Sequence, residues 1–148
     1  MSNDRIGMAK KAKYTLSLEP ELDFQLIGIS CHQTDYRVCW ALNVRLGLRM
    51  IKAQEPFMVS GKKGVVLSSH SMYEWEDEDN FVSYYLIKNK ENNKFLLPER
   101  SQLDYFFVIK GGNHEIDDLV TKIKEIKGIL TAINIDPLDL KSNEHLIF

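Results

Sequence analysis

The sequence has few of the residues that covalent or membrane frameworks need. Its 148 residues include two cysteines, Cys31 and Cys39, which are too few for a disulfide framework and match no common zinc spacing. No apolar run approaches the ~18 residues of a membrane-spanning helix, and the opening residues lack the apolar segment of a secretory signal. We therefore expect a cytoplasmic protein without a membrane partner, in which both cysteines are reduced core thiols.

A strong excess of one charge is also missing. The formal net charge is −2, which argues against the large positive surface that nucleic-acid binding needs. The histidines lie far from any partner at metal-ligand spacing. The acidic run from Glu74 to Asp79 lacks the glycine and the regular spacing of a calcium loop. We expect no nucleic-acid partner, no metal and no cofactor.

The composition is that of one globular domain. The hydrophobic fraction is 44% and the charged fraction is 27%, both ordinary for a soluble domain of this length. The polar opening predicts a flexible arm at residues 1–13, followed by a single domain at residues 14–148.

The first elements of this domain are less clear than the rest. Residues 14–19, "YTLSLE", alternate as a short strand does. Residues 20–31 fit two periods, because Phe24, Ile27 and Cys31 have helical spacing while the alternating residues around Phe24 suit a strand. Pro20 and the acids that follow it are typical of a helix start, so a helix is the favoured alternative.

A firmer helix is predicted between Thr34 and Gly47. Thr34 or Asp35 can cap its beginning, and Gly47 stands where a left-handed residue ends a helix. Its predicted apolar face consists of Tyr36, Cys39, Trp40, Leu42 and Leu46. Asn43 lies on the same face and needs hydrogen-bond partners if it is buried.

Strand patterns dominate residues 48–109. "SGKK" and "KNKENN" predict turns between strands, and "YEWEDEDN" predicts an acidic connection. The last of these strands, "LDYFFVI", is apolar on both faces and should be covered on both.

A second long helix is predicted over residues 116–133, where apolar residues recur every three or four positions. Asn113 can cap this helix, and Pro137 stops it. The order of elements indicates an α+β fold, with a mainly antiparallel β-sheet packed against two or three helices in two layers.

The candidate site lies around the turn that follows Pro98. Glu99 and Asp104 bracket this turn, with Tyr105 beside them, and two neighbouring carboxylates can share a proton or bind a cation. Asp35 and Arg37, on the predicted helix, complete a possible pocket. The alternative, which we favour, is that Asp104 accepts backbone N–H groups while Glu99 points to water.

Three stretches of the chain resemble the IPExxxVDY family of small bacterial proteins. They are "LDFQLIGISCHQTDYRVCWALN", "LLPERSQLDYFFVIKG" and "LKSNEHLIF". The family motif corresponds to Leu97, Pro98 and Glu99, followed by Leu103, Asp104 and Tyr105. The chain departs from the motif at its two apolar positions, where Leu97 replaces isoleucine and Leu103 replaces valine, and both replacements keep the apolar character. The resemblance implies a single bacterial domain of unknown function and carries over no catalytic residue.

Two functions from different classes remain open. The apolar surplus on the strands and at the closing residues favours a non-enzymatic binding or protein-interaction module that forms a homodimer. The alternative is a small ligand-binding protein or enzyme with a pocket near the Glu99–Tyr105 turn. Cys31, His32 and Asp35 have the residue types of a thiol catalyst, but no family signature surrounds them.

Overall fold

The computed structural model describes residues 23–148. The expected arm and the strand predicted at residues 14–19 lie outside this range. The strands of the described range are β1 (Phe24–Cys31), β2 (Ile51–Lys52), β3 (Phe57–Ser60), β4 (Val66–His70), β5 (Met72–Asp77), β6 (Val82–Lys88), β7 (Lys90–Glu91), β8 (Lys94–Phe95), β9 (Tyr105–Lys110) and β10 (Ile129–Ile135). Its α-helices are α1 (Asp35–Leu46) and α2 (Ile116–Lys124). Short 3-10 turns occupy Lys62–Gly64, Pro98–Arg100, Pro137–Asp139 and Asn143–His145.

Six strands form one sheet in the order β10-β1-β9-β6-β5-β2. Every pairing in this sheet is antiparallel. The strand pairs β3–β4 and β7–β8 form two separate hairpins. The predicted mixture of helices with a mainly antiparallel sheet is therefore confirmed. Among the described residues, neither helix has the length and apolar character that a bilayer crossing requires.

The favoured helix within residues 20–31 is wrong for its described part, because Phe24–Cys31 is strand β1. This strand lies between β9 and β10 and hydrogen-bonds to both. Leu26, Ile27 and Ile29 are fully buried, since each face of the sheet is covered. A strand buried on both faces reads as a nearly continuous apolar run, which hides its alternation.

The helix predicted between Thr34 and Gly47 is confirmed. Gly47 ends it with φ 71°, a left-handed conformation that glycine adopts without steric cost. The prediction of its apolar face was only partly right, because Tyr36 and Trp40 are exposed to solvent while Val38 is buried. The helix therefore covers the sheet with a narrower stripe than the sequence indicates.

The second predicted helix is wrong beyond Lys124. Gly128, at φ 97°, turns the chain, and β10 then pairs with β1 at the edge of the sheet. The helix also begins after Glu115 rather than at Asn113. The spacing of Ile129, Ile133 and Ile135 fits an edge strand as well as a helix, and pairing with β1 selects the strand.

The acidic stretch is not only a connection. Residues 72–77 form β5, which pairs with β6 along its whole length, so the turn is confined to residues 78–81. Trp75 stacks on Tyr84 with ring centroids 5.6 Å apart. The unusual tryptophan in an acidic stretch is therefore a packing residue on the helix side of the sheet.

Each face of the sheet carries its own hydrophobic cluster. On one face, Ile29 and Phe107 pack with Leu42 of α1 and Ile123 of α2. On the other face, the covering residues come from the β3–β4 hairpin, from residues next to the 3-10 turns and from the closing segment, which we define as residues 141–148: Phe57, Val59, Leu96, Leu97, Leu140 and Leu146. The prediction that the strand "LDYFFVI" is covered on both faces is confirmed.

Candidate functional site

The turn after Pro98 leads the chain into β9. Pro98 occupies the first turn of a 3-10 helix, where its missing N–H costs no hydrogen bond. The Asp104 carboxylate accepts the backbone N–H of Cys31 at 2.8 Å and the Ser30 hydroxyl at 3.4 Å. Asp104 therefore closes the gap between the end of β1 and the start of β9.

Glu99 binds a different part of the chain. Its carboxylate accepts the backbone N–H of Ser142 at 2.7 Å. Desolvation alone would raise the pKa of Glu99, but hydrogen bonds from its own backbone and from Ser142 hold that pKa below its usual value. Glu99 does not simply point to water; it anchors the closing segment.

Asp35 and Tyr105 lie on the helix side of the sheet. The Tyr105 hydroxyl donates to the carbonyl of Gln33 at 2.5 Å, and Asp35 accepts the Ser71 hydroxyl at 2.7 Å. Burial, followed by the charge of Asp35, raises the pKa of Tyr105 above its usual range. Desolvation opposes ionisation of Asp35, but the bonds from Ser71 and Tyr36 lower its pKa overall. At neutral pH the carboxylate is therefore charged and the phenol is neutral.

The five predicted residues divide into separate groups. Asp35 and Asp104 both interact electrostatically with Tyr105. Glu99 contacts the closing segment, and Arg37 lies exposed on α1. Within residues 23–148, no three metal-ligating side chains gather to hold an ion. None of the five lines either of the two clefts described below.

Asn89 is a central residue that the sequence did not reveal. It is fully buried, and its side-chain amide donates to the carbonyls of Arg100 and Leu103 at 3.0 and 2.8 Å. Its side-chain oxygen accepts the N–H of Leu97 at 3.0 Å. Asn89 thus holds together the segment that carries the family-like motif. In the sequence it reads as an ordinary residue of the "KNKENN" turn.

The two cysteines are buried and form no disulfide. The Cys39 thiol lies near the Met50 carbonyl, 3.6 Å away, and burial raises its pKa to about 11. A protonated thiol is a poor nucleophile. Cys31 is also enclosed, whereas His32 beside it is exposed, so these two side chains lie in different environments.

The main cleft, with a volume of about 970 Å³, lies beside the β2 edge of the sheet. One wall is formed by Arg49 and residues 51–56, and the floor includes Met72 and Tyr85. Phe57, Met58 and Ile147 complete its apolar lining. Its charged residues are Arg49, Lys52, Glu55, Glu74 and Glu76.

A smaller cleft of about 250 Å³ adjoins the main cleft. It is lined in part by His70, which is fully buried. The Nε2 atom of His70 lies 2.8 Å from the Ser68 hydroxyl, while Nδ1 finds no hydrogen-bond partner among the described residues. Desolvation lowers the pKa of His70.

An apolar stripe runs along the outer side of α1. Tyr36, Trp40 and Val44 are 60%, 68% and 65% exposed, and they recur every four residues, so they share one face of the helix. We call these three residues the α1 stripe. Large exposed apolar groups in a contiguous patch mark interaction surfaces.

In comparisons with known proteins, no family model, no curated protein and no solved structure matches the chain. Its function is therefore argued from its own residues.

Proposed function

We propose that the protein is a non-enzymatic interaction module that forms a homodimer through the α1 stripe. We also infer that it belongs to the IPExxxVDY family, that it is cytoplasmic, and that helices and sheet make two layers of regular structure. The exposed Tyr36, Trp40 and Val44 carry the proposal for the dimer.

The hydrogen bonds of the motif residues support a structural role for them. Leu97 and Leu103 are buried, while Glu99, Asp104 and Tyr105 each bond to the backbone of a distant segment. A catalytic carboxylate has to face its substrate, and these carboxylates face backbone N–H groups instead. A role in holding the fold together therefore accounts for the motif residues, and no catalytic role is needed to explain them.

The spacing of the α1 stripe suits pairing with an identical stripe. Tyr36 and Val44 each lie four residues from Trp40, on opposite sides of it. If two α1 helices cross in opposite directions about a two-fold axis at Trp40, Tyr36 of one copy meets Val44 of the other. Tryptophan and tyrosine also contribute most strongly to protein interfaces.

The test is the molar mass in solution, measured by light scattering. We expect a dimer for the unchanged protein and a monomer for Trp40→Glu, because a charge at the centre of an apolar interface is costly to bury. Leu138→Glu is the matched control, since Leu138 is 73% exposed and lies outside the stripe. A strictly monomeric wild type at high micromolar concentration, or a Trp40→Glu variant that stays dimeric, contradicts the proposal.

The alternative of a small-molecule site near the Glu99–Tyr105 turn has less support. One oxygen of the Asp104 carboxylate, one oxygen of the Glu99 carboxylate and the Tyr105 hydroxyl already bond to the backbone of the protein itself. It would gain support if a ligand-dependent change in the amide spectrum were confined to residues 99–105.

A further inference from the structure

We propose that the main cleft binds an extended peptide segment of another protein, one that carries apolar side chains together with both a carboxylate and a cationic group. This binding surface is separate from the α1 stripe, because the cleft contains none of the three stripe residues.

The shape of the cleft favours a chain over a small molecule. Its volume of about 970 Å³ is at the upper end of ligand pockets, which enclose most of a small ligand's surface. Here the walls are open, since Ile51, Met58 and Ile147 are each at least half exposed. A peptide that makes contacts along its length needs no such enclosure.

The apolar lining can adapt to different side chains. The lining includes Met58 and Met72 together with the aromatic residues Phe57 and Tyr85. Methionine is flexible and polarizable, and surfaces rich in it repack around varied partners. The cleft therefore suits apolar side chains of a peptide without demanding one exact shape.

The charges around the cleft have both signs. Arg49 and Lys52 come from the β2 wall, and Glu74 and Glu76 project from β5 on the floor. Within the described part of the chain, ion pairs join only Arg45 with Glu125 and Lys122 with Asp118. None of these four charged side chains forms an ion pair with another residue of the range 23–148, and electrostatic complementarity calls for a segment that carries both a carboxylate and a cation.

The protein's own closing segment already uses this face as the proposed peptide would. The Phe148 ring packs on Phe24, Phe57 and Tyr85, with centroid distances of 5.3, 5.2 and 4.9 Å. Its backbone carbonyl accepts a hydrogen bond from Lys110 Nζ at 3.0 Å. Phe57 and Tyr85 also line the cleft, so an incoming segment extends an apolar contact that the fold already makes.

The experiment uses the full chain and a phage-displayed library of random dodecapeptides. We expect enriched peptides to contain apolar residues with charges of both signs. Their affinity should fall at least about tenfold for Ile51→Asp, which places a charge on the cleft wall. Phe81→Asp is the matched control, because Phe81 is 86% exposed and lies outside the cleft. Amide shifts on binding should centre on Met72, Ser83 and Tyr85.

The outcomes separate this proposal from the proposed dimer. Binding that survives Trp40→Glu and is lost with Ile51→Asp supports a distinct peptide site, whatever the oligomeric state. The proposal is overturned if no peptide is enriched, if Ile51→Asp and Phe81→Asp bind equally well, or if the amide shifts centre on α1. Enrichment of peptides with one sign of charge alone overturns the assignment of the charged residues.

Discussion

The carboxylate of Asp104 accepts the backbone N–H of Cys31 at 2.8 Å, across a separation of 73 residues. This bond joins the last residue of β1 to the residue that precedes β9. Its neighbour Tyr105 bonds to Gln33, just beyond β1. The two residues together fix how the central strands meet.

Replacing Asp104 by alanine tests this role. We expect Asp104→Ala to lower the free energy of unfolding by about 1–3 kcal/mol, because the N–H of Cys31 loses its charged acceptor. Asp104→Asn should cost less, since an amide oxygen can still accept the bond. Urea denaturation measures both variants, with Asp79→Ala as a control at an exposed acid. Equal stability of Asp104→Ala and the unchanged protein contradicts the assignment.

A second prediction concerns the contact between Glu99 and the closing segment. Glu99→Ala should speed amide hydrogen exchange in residues 142–148, because the N–H of Ser142 loses its acceptor. Glu144→Ala is the control, since Glu144 is exposed in the same segment. Unchanged exchange in Glu99→Ala would show that the closing segment is held without this carboxylate.

Asn89 should be among the most sensitive polar residues of the protein. Asn89→Ala leaves three backbone groups without their partners, and we expect a loss of roughly 2–4 kcal/mol in the free energy of unfolding. Asn89→Asp should not rescue stability, because a carboxylate cannot donate to the carbonyls of Arg100 and Leu103. Thermal unfolding measures both, and Asn80→Ala supplies an exposed comparison. A loss no larger than that of Asn80→Ala would refute the prediction.

Burial of His70 predicts a dependence of stability on pH. Its pKa in the folded protein lies below the value of about 6.5 for an unfolded histidine. Between these two values the unfolded state binds more protons, so the free energy of unfolding falls as the pH drops below about 6.5. One such group contributes a slope of at most about 1.4 kcal/mol per pH unit. Glu91 favours the charged imidazole, and His145 opposes it.

The variant that checks this is His70→Gln, which should flatten the curve of stability against pH just below 6.5. His32→Gln, at an exposed histidine, should leave that curve unchanged. Glu99 and Asp35, whose pKa values are lowered, lose their contribution only below about pH 4.3, so their effect lies in a separate window. If the free energy of unfolding of the wild type does not change between neutral pH and pH 5, the lowered pKa of His70 is contradicted.

Two glycines with positive φ provide a matched comparison of backbone strain. A Cβ at Gly47 meets nothing within 4 Å, whereas a Cβ at Gly111 would overlap the carbonyl oxygen of Phe81. Gly47→Ala should cost about 1 kcal/mol from its left-handed conformation alone. Gly111→Ala should cost roughly 3 kcal/mol or more, because the backbone also has to move. Chemical denaturation measures the free energy of unfolding of both variants. Equal losses of that free energy in Gly47→Ala and Gly111→Ala would contradict the close approach at Gly111.

The local sequence was sufficient to predict an element where one short segment contains all the residues that indicate it. The helix that ends at Gly47 could be predicted because its period and its left-handed end lie within one segment, residues 34–47, although the side chain of Thr34 makes no capping hydrogen bond. The strand "LDYFFVI" was predictable because apolar residues at every position leave few other ways to bury them. Neither inference needed information about the rest of the chain.

Elsewhere the pattern allowed two structures. Phe24–Cys31 and residues 129–135 carry apolar residues at positions that suit a helix and a strand alike. Pairing with β9 and with one another makes both of them strands, and that pairing joins segments about a hundred residues apart. The periodicity of one segment does not indicate which distant segment it will pair with.

The residues of the candidate site show the same division. The sequence by itself determined that Glu99, Asp104 and Tyr105 lie on the segment that turns the chain into β9, because Pro98 interrupts the strand pattern there. Only the tertiary structure decided their roles, since the groups that they bind, on Ser142, Cys31 and Gln33, belong to distant parts of the chain. A carboxylate is free for chemistry only when no folded neighbour occupies it, and that depends on which segments the fold brings together.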